Sequence, residues 1–151
     1  MAGYLLSASS INNELTYTVI KNAYQGIITE SYISANPKII LNQCIIDNIY
    51  DAGIISLASS IKAVNCLISN CGSNITIAAG GNYSFDHCTV ASFPNAYIDH
   101  KNPVLLITNW YDENQPFALF AHFRNCIFYG EGGLVANELV VDKKKLQILL
   151  M

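Results

Sequence analysis

One short phrase recurs along the chain, and four of its five copies carry a cysteine at the same place. The phrase reads apolar residue, two residues, cysteine, two residues of which the second is apolar, one residue, and then a small polar residue or glycine. The cysteine copies lie at 41–48 (LNQCIIDN), 63–70 (AVNCLISN), 85–92 (FDHCTVAS) and 123–130 (FRNCIFYG), and a fifth, at 15–22 (LTYTVIKN), has Thr18 instead. A repeat of this kind indicates stacked copies of one structural unit, and it therefore constrains the fold more than local propensity does.

The spacing of the phrase predicts a solenoid whose unit is about 22 residues long. Cys44, Cys66 and Cys88 follow one another at equal intervals, whereas the step from Thr18 to Cys44 is slightly longer and the step from Cys88 to Cys126 is much longer. The extra residues of both longer steps are expected to lie in loops. A second repeat relates residues 3–11 (GYLLSASSI) to 53–61 (GIISLASSI) at an offset close to two units. We therefore expect the chain to begin within a unit and to be a fragment of a longer solenoid.

Alternation of apolar residues indicates that each unit consists of strands. Ile61 and Ala63 share one side of the chain, and after a change of phase at Asn65 the inward positions are Cys66 and Ile68. The change of phase predicts a bend between two short strands. Three short strands per unit, stacked in parallel, predict an all-β fold. We expect one domain over residues 1–151, a single-stranded right-handed parallel β-helix (a pectate-lyase-like solenoid) of about five to six coils.

Stacking places equivalent residues of successive coils above one another, about 4.8 Å apart. The repeats predict a small inward column, two larger apolar columns, a fourth apolar column from the preceding strand, and a polar column at a turn. In that order their members are Thr18, Cys44, Cys66, Cys88 and Cys126; Ile20, Ile46, Ile68, Val90 and Phe128; Leu15, Leu41, Ala63, Phe85 and Phe123; Ile39, Ile61, Tyr83 and Ala121; and Asn22, Asn48, Asn70, Ser92 and Gly130.

Composition excludes several classes of protein. The chain is 52% hydrophobic and 13% charged, and it contains no apolar run as long as the roughly 18 residues of a membrane-spanning helix. A net charge of −3 gives no reason to expect nucleic acid as a partner, and the only basic run, Lys143 to Lys145, is interpreted as a solvated tail. The N-terminus MAGYLLSASS contains no visible secretion signal.

The cysteines are interpreted as small buried core residues. Thr18 replaces cysteine in one copy, and the long interval between the cysteines matches no zinc-binding pattern. A disulfide or a metal site remains the alternative, but the sequence predicts neither metal ligands nor a cofactor.

Three segments resemble right-handed parallel β-helix repeat proteins of Bacteroidetes. They are GGNYSFDHCTVAS at 80–92, NPVLLITNWYDEN at 102–114, and AHFRNCIFYG followed by NELVVD between 121 and 142. The similarity is to the C-terminal part of those proteins and extends from about residue 15 to residue 142. Family members are typically secreted or attached to the cell surface, and most have no assigned function. The resemblance implies such a location and a polysaccharide-related or adhesive role, and it transfers no catalytic residue.

The longest insertion, residues 93–116, is where we expect binding residues, because long loops on a rigid scaffold carry function. Tryptophan and tyrosine beside carboxylates suit a sugar ring, which presents an apolar face and a rim of hydroxyl groups. Aromatic residues that pack against the flank of the solenoid are the alternative interpretation. The candidate binding residues are Tyr97, Asp99, His100, Trp110, Tyr111 and Asp112.

A catalytic alternative is a fragment of a polysaccharide lyase or glycoside hydrolase that acts on acidic polysaccharide. Lyases of this fold use Ca²⁺ held by clustered carboxylates and a basic residue that abstracts a proton, but acidic residues are sparse on these coils. Arg124, the sole arginine, is one coil step from Asp86, and we interpret the two as a surface ion pair. No catalytic residue is therefore assigned.

The preferred hypothesis is a secreted or cell-surface β-helix module that binds carbohydrate or mediates adhesion without catalysis. Polysaccharide is the expected partner, with no nucleic acid and no membrane span. Because open solenoid ends expose unpaired strand edges, we also expect self-association through them.

Overall fold

A computed structural model describes residues 2–31, 36–93, 95–112 and 115–144, and these residues form strands but no helix. The predicted residues 94, 113 and 114 of the insertion and Lys145 of the basic run lie outside the described residues. The strands are β1 (Ala2–Leu6), β2 (Asn13–Thr16), β3 (Val19–Lys21), β4 (Gln25–Thr29), β5 (Ile39–Asn42), β6 (Ile45–Asp47), β7 (Ala52–Val64), β8 (Leu67–Ser69), β9 (Ser73–Asp86), β10 (Thr89–Ser92), β11 (Leu105–Thr108), β12 (Leu119–Arg124), β13 (Ile127–Gly130) and β14 (Leu139–Asp142).

These strands fall into three sets, which the chain visits in a fixed order. Set A contains β1, β4, the first parts of β7 and β9, β11 and β14; set B contains β2, β5, the second parts of β7 and β9, and β12; set C contains β3, β6, β8, β10 and β13. Sets A and B form a sheet of nine described strands, and set C forms a sheet of five. Every pairing between these described strands is parallel. The predicted all-β chain with parallel strands is confirmed for this part of the molecule.

Strand register confirms the three predicted apolar columns. Ile20 pairs with Ile46, Ile46 with Ile68, Ile68 with Val90 and Val90 with Phe128. The columns that begin at Leu15 and at Ile39 are paired in the same way along set B. Their middle members are almost entirely buried, and together with the cysteines they form one apolar core.

The predicted cysteine column is also present. The backbone amide of Leu67, directly after Cys66, donates a 2.9 Å hydrogen bond to the carbonyl oxygen of Cys44. The amide of Thr89, directly after Cys88, donates in the same way to the carbonyl oxygen of Cys66 over 2.9 Å. Cys44, Cys66 and Cys88 are 1–3% exposed, whereas Cys126 is partly exposed. All five cysteines are free thiols, and the burial of Cys44, Cys66 and Cys88 agrees with their interpretation as packing residues. Burial raises the pKa of the Cys44 thiol, which therefore stays protonated.

The polar column forms at the turn that follows set C. Asn22, Asn48 and Asn70 have positive φ angles of 56°, 57° and 52°, a conformation that asparagine tolerates better than most residues. The side chain of Asn48 donates a 2.6 Å hydrogen bond to that of Asn22, as stacking predicts. The side-chain amide of Asn70 instead donates to Asp47 over 2.9 Å, so the stack of side-chain amides does not continue to the third repeat.

Both long strands bend where set A meets set B. Ala58 in β7 and residues 79–81 in β9 have positive φ angles, and the pairing of the two strands shifts register between Leu57 and Ser59. The fully buried Tyr83 fills the inside of this bend. Its hydroxyl group donates to the carbonyl oxygen of Gly80 over 3.0 Å and accepts from the amide of Ser59 over 3.3 Å.

The insertion at 93–116 differs from the single loop that the spacing predicts, because it contains strand β11. Strand pairing makes the segment from Thr89 to Leu105 equivalent to the segment from Leu67 to Ile75 in the previous repeat, and the later segment contains twice as many residue steps. The segment from Leu105 to Leu119 likewise contains more than twice as many residue steps as its equivalent, from Ile75 to Gly81. The extra residues are thus divided about equally between a first loop (residues 93–104) and a second loop (residues 109–118), at opposite ends of β11.

Strand β11 forms within the insertion because its side chains alternate between the core and the outside. Leu105 and Ile107 are buried in the apolar core, and the strand pairs with β9 on one side and β14 on the other. The segment therefore continues set A instead of remaining a loop.

Asp86 and Arg124 are neighbours, as their one-coil separation predicts. They occupy paired positions of β9 and β12, and Arg124 Nε lies 2.8 Å from Asp86 Oδ1. The arginine side chain is 73% exposed, so the pair lies on an outer face in contact with solvent.

Candidate functional site

The first loop is built so that exposed and buried side chains alternate. Tyr97, Asp99 and Lys101 are exposed, whereas Ile98 and His100 between them are buried. A tight turn precedes these residues, in which the side-chain oxygen of Asn95 accepts hydrogen bonds of 2.9 Å from the backbone amides of Tyr97 and Ile98. The buried residues fasten the loop to the body of the protein, and the other three present polar and aromatic groups to solvent.

His100 is an anchor of this loop. Only 2% of it is exposed, and its Nε2 lies 3.0 Å from a carboxylate oxygen of Glu138. Its Nδ1 lies 3.4 Å from the carbonyl oxygen of Glu131. Gly130 and Gly133 leave the room for this arrangement, because a Cβ atom at either would overlap Glu138 or the backbone of His100. The predicted candidate His100 thus faces the interior and not the solvent.

Two tyrosines from successive repeats form an aromatic platform beside the first loop. The rings of Tyr24 and Tyr50 are stacked, with centroids 5.6 Å apart and an interplanar angle of 24°. Their backbones are held in step by hydrogen bonds from the amides of Tyr50 and Asp51 to the preceding repeat. More than half of each tyrosine is exposed. Exposed aromatic faces of this kind are available for stacking.

The next position of the same column is Gly72, and the missing side chain opens a cleft. A Cβ atom at Gly72 would overlap the backbone of Tyr50 and Asp51, so glycine is required there. Asn102 in the first loop closes one side by donating a 2.9 Å hydrogen bond to the carbonyl oxygen of Gly72. The cleft measures about 200 Å³, and its walls are Tyr50, Asp51, Gly72, Tyr97, Ile98, Asp99, Lys101 and Asn102. We call Tyr24, Tyr50, Tyr97 and the walls of this cleft the tyrosine surface.

Polar groups around the cleft can bind hydroxyl groups. No described residue hydrogen-bonds to the hydroxyl groups of Tyr24, Tyr50 or Tyr97. The side chain of Asp51 accepts a hydrogen bond of 2.8 Å from Gln25 and has further lone pairs available. The exposed side chains of Asp99 and Lys101 form a 2.7 Å ion pair, and the hydrogen bond and charge of Asp99 raise the pKa of Lys101.

The remaining predicted residues lie in the second loop, at the other end of β11. Tyr111 is 73% exposed and Asp112 is also exposed, whereas Trp110 is partly buried. The ammonium group of Lys144 lies 4.0 Å from the centroid of the Trp110 ring. Strand β11 separates this group from Tyr97 and Asp99, so the structure does not combine the six predicted residues into one site.

Sequence reasoning missed Tyr24, Tyr50 and Asp51, although the repeat contains the signal that finds them. Tyr24 is six residues after Thr18, Tyr50 is six after Cys44, and Gly72 is six after Cys66. An exposed column that reads Tyr, Tyr, Gly therefore follows directly from the alignment of the repeats. The sequence does not show that Tyr97 of the first loop lines the same cleft as Tyr50 and Gly72.

The chain matches no protein-family model, no curated protein and no solved structure. Within its described residues, no helix has the length and apolar character needed to cross a membrane. Nor do any three histidine, cysteine, aspartate or glutamate side chains in this part come together as ligands of one metal ion.

Proposed function

We propose that this chain is a non-catalytic module that binds carbohydrate through the tyrosine surface. The observation that carries the proposal is the stack of Tyr24 on Tyr50 beside a cleft whose walls include Tyr97, Asp51 and Asp99. Aromatic faces pack on the apolar face of a sugar ring, and the carboxylates and phenol hydroxyl groups bind its hydroxyl groups. A cleft of about 200 Å³ is smaller than the roughly 300–1,000 Å³ of typical ligand pockets, which suits a single ring held from one side.

We further propose that the scaffold is a right-handed parallel β-helix of about five to six coils. The repeated order of sets A, B and C supports it, because successive repeats add parallel strands to the same sets. So do the columns of equivalent residues, which extend from coil to coil at a common register. Such a scaffold places surface residues of successive repeats at a regular spacing of about 4.8 Å.

The location that we propose is outside the cell, as a secreted or surface-attached member of the Bacteroidetes β-helix repeat proteins that the sequence motifs resemble. Free thiols are uncommon in oxidising compartments. The burial of four of the five cysteines is compatible with such a location, because Cys44, Cys66, Cys71 and Cys88 are at most 3% exposed and are thereby shielded from oxidants, whereas Cys126 is partly exposed.

The test is a binding assay with a panel of neutral, acidic and amino oligosaccharides, followed by titration calorimetry of the best ligand with variants. We expect Tyr50→Ala to weaken binding about tenfold, since an aromatic contact contributes up to about 1.4 kcal/mol, which is equivalent to a factor of ten in the dissociation constant. Tyr111→Ala is the matched control, because Tyr111 is similarly exposed but lies at the other end of β11. Equal loss in both variants, or no loss at Tyr50, would contradict the proposed site.

Incubation of the same oligosaccharides with Ca²⁺ tests the catalytic alternative. Release of unsaturated products from polyuronates would show a lyase activity and would overturn the non-catalytic assignment.

A further inference from the structure

A second concave surface lies on the outer face of the set C strands. It is a groove of about 620 Å³ that extends across β3, β6, β8, β10 and β13. Because neighbouring strands are about 4.8 Å apart, the face from β3 to β13 is about 19 Å long. This outer groove is lined by Lys21, Ile45, Asp47, Leu67, Ser69, Asn70, Thr89, Ala91, Phe93, Ile127 and Tyr129.

The floor of the outer groove is an apolar column with a hydroxyl group in it. Ile45, Leu67, Thr89 and Ile127 occupy paired positions of successive strands. Ile45 is 38% exposed and Ile127 is 60% exposed, although both belong to regular strands. The hydroxyl group of Thr89 has no hydrogen-bond partner among the described residues. A ligand with an apolar face and outward hydroxyl groups matches this floor.

An aromatic pair stands at one end of the outer groove. The rings of Phe93 and Tyr129 have centroids 5.5 Å apart at an interplanar angle of 40°. Nearly half of each residue is exposed, so that the pair offers ring surface to a ligand in the groove.

The charges of the outer groove cancel. Lys21 and Asp47 are its charged residues, and their side chains form a 3.1 Å ion pair. Burial raises the pKa of Asp47, but hydrogen bonds from Ser69, Lys21 and Asn70 outweigh that effect and lower it below its ordinary value. Asp47 therefore stays charged at neutral pH beside the Lys21 side chain that pairs with it, and an uncharged ligand suits the groove better than an acidic or a basic one.

The outer groove adjoins the tyrosine surface. Asn70 and Phe93 line the groove, whereas Gly72 and Tyr97, two and four residues further along the chain, line the cleft. A hydrogen bond of 3.1 Å from the amide of Phe93 to the side chain of Asn70 ties the start of the first loop to this boundary. The loop thus has an aromatic residue on each side of it, Phe93 toward the groove and Tyr97 toward the cleft.

We infer that the outer groove is a second sugar subsite, continuous with the tyrosine surface, and that the ligand is an extended, uncharged polysaccharide. This inference rests on the proposed function and specifies its ligand class. The tyrosine surface holds one ring, and the outer groove holds further units of the same chain along the sheet. Affinity therefore rises with the length of the oligosaccharide.

The test uses neutral cello-, xylo- and manno-oligosaccharides of two and of eight units, with titration calorimetry on the whole chain. We expect Phe93→Ala and Tyr129→Ala each to weaken binding of the octasaccharide about tenfold and to leave the disaccharide unaffected. Tyr50→Ala weakens both ligands. Phe120→Ala is the matched control, because Phe120 is 63% exposed on β12, outside both surfaces.

The outcomes separate this inference from the function on which it rests. Unchanged octasaccharide affinity in both groove variants, or equal affinity for the two lengths, overturns the second subsite, while loss in Tyr50→Ala keeps the first. If the acidic or amino oligosaccharides of the first panel bind more tightly than the neutral ones, and Phe93→Ala and Tyr129→Ala remove that difference, the assignment of an uncharged ligand is overturned. If no neutral oligosaccharide binds, the inference of an uncharged ligand fails; if no member of the neutral, acidic and amino panel binds, the proposed function fails and the second subsite fails with it.

Discussion

Replacing Tyr83 by phenylalanine tests the polar network that holds the bend between sets A and B. The residue is 0% exposed, and its hydroxyl group is bound from three sides. It donates to the carbonyl oxygen of Gly80 and accepts from the amide of Ser59 and from the hydroxyl group of Ser56, at distances of 3.0, 3.3 and 3.1 Å. Ser56 in turn shares a 2.6 Å hydrogen bond with Thr29 one repeat earlier.

The expected cost follows from the partners that are left behind. Phenylalanine keeps the ring, so packing in the core is unchanged and no cavity forms. Ser56 still has the hydroxyl group of Thr29 as a partner, but the amide of Ser59 and the carbonyl of Gly80 lose the phenol. A buried polar group left without a partner costs about 1–3 kcal/mol. We therefore expect Tyr83→Phe to lower the free energy of unfolding by about 2 kcal/mol.

Urea unfolding measures this change. With a slope of about 2 kcal/mol per molar urea, the midpoint falls by about 1 M. Tyr129→Phe is the control, because its hydroxyl group makes only an exposed 3.3 Å contact with Glu131, and we expect it to change stability by less than about 0.5 kcal/mol. A Tyr83→Phe variant as stable as the control would refute the reasoning, since the three buried hydrogen bonds would then contribute nothing to the bend.

Two further predictions concern the same core. Burial raises the pKa of Cys71 to about 12, so the folded chain keeps this proton at a pH where the unfolded chain, with an ordinary thiol pKa of 9.0, has released it. The contribution of the buried thiol to the free energy of unfolding is complete below pH 9 and is lost as the pH rises to 12. The loss reaches about 4 kcal/mol. When the free energy of unfolding is measured against pH, Cys71→Ala is expected to flatten the curve in this range. Gly81 has a φ angle of 118°, and Gly81→Ala places a Cβ atom against the carbonyl oxygen of Ser59. We expect this variant to lower the free energy of unfolding by at least about 3 kcal/mol, measured by thermal unfolding. An unchanged melting temperature would show that the bend can relax.

The columns of the core were predictable because the repeats share their local pattern. Every copy has the same alternation of apolar residues and the same change of phase, which falls at Asn65 in the third copy. Like sequences adopt like backbone conformations, and Asn65 and its equivalents all have positive φ angles between 51° and 56°. Once the turn recurs at one spacing, parallel pairing at one register follows.

The position of the insertion was not predictable from spacing. Counting residues between Cys88 and Cys126 gives the total inserted length but does not show where along the repeat the extra residues enter. The run LLIT at 105–108 has the apolar character of a strand and marks the division. For the same reason the spacing predicts one loop for the six candidate binding residues, whereas Tyr97 and Trp110 lie on opposite sides of β11 in the chain.

The sequence by itself determined which residues share a side of each strand, because alternation and the repeated turn are local properties of the chain. It thereby specified the buried columns and the cysteines within them. Only the tertiary structure decided which exposed residues come together, such as Tyr97 and Tyr50 in the walls of one cleft and Phe93 with Tyr129 in a ring contact. The members of each pair are far apart in the sequence, and their meeting depends on the path of a loop that no repeat constrains. Its path is set by long-range contacts, which include the contact between His100 and Glu138 and the hydrogen bond from Asn102 to Gly72.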